Sequence, residues 1–116
     1  MKEQRKTPRK IADDVLEVSD QHTNAILGKV VNISAEGLMV ISNEPFTTGA
    51  VYELDLKLPR LIKGHSKVSF GAEVVWSTPA SQPGSHWSGF RIIDVSENEV
   101  LTIDELILDW HSMGIE

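Results

Sequence analysis

The chain has 116 residues, 41% of them hydrophobic and 24% charged, with no cysteine and a net charge of −6 at pH 7. That length and composition describe one globular domain with a single core. They exclude a disulfide framework, thiolate metal sites and a cysteine nucleophile. No apolar run approaches the ~20 residues of a membrane span. The start, MKEQRKTPRK, is polar and basic and lacks the apolar segment of a secretory signal. A cytoplasmic protein with no membrane insertion is therefore expected.

The charge is uneven. Residues 1–10 hold five Lys or Arg against one Glu, while the rest of the chain holds six against sixteen Asp or Glu. From Asp94 to Glu116 there are seven acids and no Lys or Arg. A nucleic-acid-binding barrel would want a basic face and stacked aromatics. The body is acidic and only 6% of the chain is aromatic, which argues against nucleic acid as a partner. A short basic arm on an acidic body suits a small, local anion instead.

In chain order, residues 1–10 read as a flexible arm: polar, interrupted by Pro8 and without periodicity. The rest, 11–116, reads as a single domain. Val15–Val18 is a short strand candidate. Ala25–Ile33 and Leu38–Ile41 read as neighbouring strands joined by the Ser34-Ala35-Glu36-Gly37 turn. Tyr52, Leu54, Leu56 and Leu58 alternate with Glu53, Asp55 and Lys57, the period of a half-buried strand that Pro59–Gly64 ends. Val68, Phe70, Ala72, Val74 and Trp76 are expected on one face of a long strand. Thr78–Ser85, with Pro79, Pro83 and Gly84, is loop, and Trp87–Ile93 is the last strand. The period then becomes helical. Ser96 is an N-cap with Glu99 three residues on, Val100, Ile103, Leu106, Ile107, Trp110 and Met113 share a face, and Gly114 is a fitting stop. The expected fold is mainly β: about six strands closing as a small barrel, followed by a C-terminal α-helix at about 97–113.

Enzyme signatures are absent. His22, His65, His86 and His111 are scattered, with no His-x-x-x-His pair and no other clustered metal ligands. There is no Gly-x-Ser-x-Gly elbow and no Walker or dinucleotide glycine pattern. Two local patterns remain. Arg5-Lys6-Thr7-Pro8-Arg9 is an Arg-x-x-x-Arg on the arm. The guanidinium fork donates bidentately to phosphate oxygens and to the O6/N7 edge of guanine. Asn32-Ile33-Ser34-Ala35-Glu36-Gly37 is an Asn-x-Ser-x-x-Gly between two strands. Its amide can pair with a base edge or pin the turn, its hydroxyl can meet a phosphate, and its glycine allows close backbone approach. The same segment matches a glycosylation sequon, which is discounted without a secretory signal.

Together, an Arg-x-x-x-Arg arm and an Asn-x-Ser-x-x-Gly turn some twenty residues later, in a one-domain β chain, resemble the PilZ domain family. The resemblance covers nearly the whole chain, including the late Gly89-Phe90-Arg91-Ile92 strand before a capped helix. It implies a six-stranded antiparallel, Greek-key, split β-barrel with an accessory helix. It also implies a non-enzymatic bacterial receptor for cyclic di-GMP, with no cofactor and no metal. By resemblance, Arg5 and Arg9 grip guanine and phosphate, Asn32 contacts a guanine edge, Ser34 meets phosphate and Gly37 shapes the turn. Ligand binding would order the arm on the barrel and signal to a protein partner in motility, biofilm or polysaccharide systems. Gln4 departs from the basic residue that many relatives carry before the first motif arginine, so one or two stacked ligand molecules stay open. The alternative reading is a protein-interaction adaptor of the same fold that does not bind the nucleotide.

Overall fold

The computed structural model describes residues 10–11 and 16–113, with side chains described for 16–108. Among the described residues seven strands and one helix follow one another: β1 (Lys10–Ile11), β2 (Glu17–Asp20), β3 (Ile26–Ile33), β4 (Gly37–Ser42), β5 (Val51–Ile62), β6 (His65–Pro79), β7 (His86–Asp94) and α1 (Glu97–Met113). All pairings are antiparallel. β3 pairs with β2 on one side and β4 on the other, and the order β3-β2-β5-β6-β7-β4 returns to β3. Six strands thus close a barrel and leave no long unpaired edge. β1 continues the edge of β3 beyond β2, with Lys10 opposite Ile33 and Ile11 opposite Asn32.

The alternation read in the sequence sets the inside of this barrel. Leu54, Leu56 and Leu58 from β5, Val68, Phe70, Ala72 and Val74 from β6, and Leu38 and Val40 from β4 are all buried. Phe90 of β7 stands in the core with Phe46 and Tyr52 edge-on to it, ring centroids 5.1 and 6.3 Å away. Such edge-to-face pairs add to the stabilisation from buried area.

Beyond β6 running on through Thr78 and Pro79, which read as loop but pair with Trp87 and His86, three local features depart from the sequence reading. Trp76 does not continue the inward face of Val68, Phe70, Ala72 and Val74. Val74 pairs with Phe90 and Trp76 with Gly89, so Val75 is an extra residue, a β-bulge. The bulge reverses the parity of the strand. Trp76 turns outward and is 38% exposed, while Ser77 points inward and accepts a hydrogen bond from buried Ser88, Oγ to Oγ 2.9 Å. Secondly, β5 does not end at Pro59. Lys57 pairs with Lys67 and Ile62 with His65, so β5 bows out between them and Pro59 sits where no ladder hydrogen bond is required. Lys63 and Gly64, at φ 51° and 82°, close the hairpin as a two-residue turn. Thirdly, Lys10, read as part of the arm, already belongs to β1.

α1 starts as its capping residues dictate. Ser96 Oγ accepts from the Glu99 N–H at 3.2 Å and donates to Glu99 Oε1 at 3.0 Å. Glu99 Oε2 reaches instead to β6, where it accepts from the Ser69 N–H at 3.1 Å. β7 pairs with β6 only as far as Gly71, so Glu99 takes up a backbone donor that β7 leaves. Ile103 and Leu106 then bury fully against the barrel, with α1 resting on β6 and β5.

Candidate functional site

The Asn-x-Ser-x-x-Gly segment forms the β3–β4 turn, and its own side chains hold it. The Ser34 N–H donates to the Gly37 carbonyl at 2.8 Å, and Ser34 Oγ accepts from the Glu36 N–H at 3.1 Å. This is a serine turn of the kind that competes with regular structure. Ser34 is completely enclosed. The Glu36 carbonyl accepts from the Ile92 N–H at 2.8 Å, which pins the turn to β7. Gly37 pairs with Arg91 across the β4–β7 ladder.

Asn32 stands on β3 just before the turn. Its Nδ2 donates to Met39 Sδ at 3.5 Å, a weak acceptor. Its Oδ1 is buried with no hydrogen-bond partner among the described residues. Buried amide oxygens nearly always have a donor, and leaving one orphaned costs about 1–3 kcal/mol. Among the described residues the Asn32 acceptor thus goes unmet.

Beside this turn lies a shallow depression of about 230 Å³, lined by Glu36, Val75, Trp76, Gly89, Phe90 and Arg91. Trp76 lies against the Gly89 backbone: a Cβ on residue 89 would come within 2.3 Å of Trp76 Nε1 and 2.6 Å of Cε2. Arg91 forms an ion pair with Glu73, its cross-strand neighbour, and remains largely exposed. The depression thus offers a flat aromatic face, a guanidinium and the edge of the serine turn, enough to receive a planar base or an anion.

The structure sets Asn32 at the end of β3, Ser34 in the turn and Gly37 at the start of β4. Arg5 and Arg9 lie outside the described residues. β1 enters here, since Lys10 and Ile11 pair with Ile33 and Asn32. Trp76, Gly89 and Arg91 were not singled out as site residues from the sequence. Periodicity assigns Trp76 to the interior, and only the Val75 bulge moves it outward. Gly89 carried the one readable signal, a glycine inside a strand, which marks a close approach. Among the described residues no group of His, Asp and Glu is arranged to hold a metal ion, and no helix is long and apolar enough to cross a membrane.

Comparison with known proteins bears on the fold. No curated protein sequence matches significantly. Among solved structures, the chain is similar to the Bacillus subtilis inhibitor of motility, MotI/DgrA. The TM-score is 0.77 at 18% identity, over 97% of this chain and 53% of that one, so this chain spans about half its length. It is also similar to the PilZ domain of YcgR from Escherichia coli, solved with c-di-GMP, with TM-score 0.73 at 12% identity over 96% and 94% of the two chains. The PlzA protein of Borreliella burgdorferi in complex with c-di-GMP matches at TM-score 0.50 and 12% identity, over 88% of this chain and 46% of that one. At such identities these likenesses speak for the fold. The family model for the PilZ domain matches residues 3–109, and with the closed barrel and the Asn32–Gly37 turn it places this chain in the PilZ domain family.

Proposed function

We propose that this chain is a cyclic di-GMP receptor domain whose site is the surface formed by the arm, the Asn32–Gly37 turn and the Trp76 depression. The observation that carries this reading is the pairing of β1 with β3. It sets Lys10, next in sequence to Arg9, beside the strand end that holds Asn32 and leads into the turn. Solved complexes of YcgR and PlzA with c-di-GMP, both similar in fold, support the choice of ligand.

The chemistry matches part by part. The ligand has two phosphates and two guanines. Arg5 and Arg9 supply bidentate donors for phosphate and for the guanine O6/N7 edge. Asn32 Oδ1, without a donor among the described residues, accepts from a guanine N–H. The Trp76 indole offers a stacking face, and Gly37 and Ser34 shape a turn that a phosphate can approach. Capture fixes the arm against the barrel, an ordering that re-shapes the surface shown to a protein partner. No bond is made or broken, so the role is that of a cytoplasmic receptor or adaptor without catalysis.

Calorimetric titration with cyclic di-GMP, cyclic di-AMP and GTP tests the reading. Cyclic di-GMP binds, and the other two bind much more weakly. Adenine places an amino donor where guanine has the O6 acceptor. Equal affinity for the adenine analogue overturns guanine reading.

A further inference from the structure

Four of the six Lys and Arg residues that follow residue 10 fall within the eleven residues 57–67: Lys57, Arg60, Lys63 and Lys67. That segment contains no acid and is the β5–β6 hairpin. Lys57 and Lys67 are direct cross-strand partners on the outer face, a like-charge arrangement that destabilises a sheet. Lys67 is relieved by Asp55, 3.2 Å away. Lys57 and Lys63 make no ion pair among the described residues. Near the tip, Leu61 is 69% exposed. Two cations of this hairpin, Lys57 and Lys63, and the exposed Leu61 thus stand outward on an otherwise acidic body.

The same molecule carries the complementary surface. On α1, Glu97, Leu101, Asp104 and Leu108 fall at i, i+4, i+7 and i+11, one stripe of a helix. Leu101 and Leu108 are 50% and 57% exposed, and Glu97 and Asp104 are exposed with no ion pair among the described residues. Acid and leucine alternate along this stripe, and cation and leucine share the hairpin. Any one exposed leucine is ordinary, but here two surfaces match in both charge and apolar content.

We infer that the β5–β6 hairpin of one copy docks on the outer stripe of α1 of a second copy. The partner is another molecule of this chain, because this chain displays both halves of the match. α1 contacts β5 and β6, the two strands of the hairpin. A two-fold axis then forms both contacts at once: each hairpin meets the other helix, and the interface is self-complementary. Charge sets the register and speeds encounter, and the leucines supply the desolvated centre. This inference is independent of nucleotide binding.

Sedimentation velocity over a concentration series, without nucleotide, tests it. The wild-type chain dimerises, and raising salt to about 0.5 M, where screening acts over about 4 Å, weakens the dimer. Lys57→Glu/Lys63→Glu and Glu97→Lys/Asp104→Lys each raise the dimer dissociation constant at least about tenfold. Both variants are checked by circular dichroism and melting for an intact fold. A mixture of the two recovers a dimer, since each reversed hairpin faces a reversed helix. A monomer at every concentration up to about millimolar, a range reaching the weakest specific association, overturns the inference. So does a dimer that neither folded variant weakens. So does a monomeric wild type that binds phosphatidylserine vesicles while the hairpin variant does not, which would assign the finger to a membrane surface.

Discussion

The indole of Trp76 lies so close to Gly89 that a Cβ on residue 89 would sit 2.3 Å from Trp76 Nε1. The two are cross-strand partners on the outer wall. Gly89 is thus the floor on which the tryptophan lies, and the orientation of the depression beside Glu36 depends on that floor. Gly89→Ala pushes a half-exposed ring aside and leaves the core untouched. It is expected to change Trp76 fluorescence and weaken cyclic di-GMP binding at a stability loss of about 1 kcal/mol or less. Fluorescence, calorimetry and a melting curve on one preparation read all three. Unchanged binding alongside a shifted indole removes Trp76 from the site.

Trp76→Ala separates stacking from positioning. Base–aromatic stacking contributes about 1–3 kcal/mol per base. The variant is expected to bind cyclic di-GMP roughly ten- to a hundredfold more weakly, and to melt close to the wild type because the ring lies outside the core.

The arginines of the arm are expected to act through geometry and not through net charge. Arg5→Ala or Arg9→Ala each weakens binding by about 1.5–3 kcal/mol, typical of charge-assisted hydrogen bonds. Arg9→Lys does not restore it, since lysine lacks the bidentate fork. Lys2→Ala changes little, because it acts only through screened long-range charge. Equal losses in all the alanine variants would reduce the arm to an electrostatic tail.

Glu99 is expected to matter for stability and not for ligand. It accepts from Ser96 Oγ and from the Ser69 N–H, so Glu99→Ala leaves a strand donor unpaired at about 1–3 kcal/mol. Urea denaturation reads the loss. Leu106→Ala, at a fully buried contact of α1 with the barrel, is expected to cost about 2–5 kcal/mol.

Much of this was legible in the chain. Tyr52 to Leu58 alternates cleanly, and Leu54, Leu56 and Leu58 are buried. The helix follows Ser96 as its cap implies, and Asn32 at the end of β3, Ser34 in the turn and Gly37 at the start of β4 fall where the sequence puts a strand end and a turn. What escaped was where backbone irregularity overrides period. The Val75 bulge cannot be seen in Val74-Val75-Trp76-Ser77, because the extra residue is defined only by its partner strand. The continuation of β5 past Pro59 escaped for the same reason: proline ends a regular ladder but is tolerated where the strand bows out. β1, two residues long, is too short for any periodicity to show.

The measurement that bears most directly on the account is amide hydrogen exchange with and without saturating cyclic di-GMP. Slowed exchange is expected in residues 32–37, in 75–76 and in 89–91, with the buried strand centres of β5 and β6 unchanged. Absence of binding, or protection confined to a different surface such as 26–29 with 41–46, would contradict it.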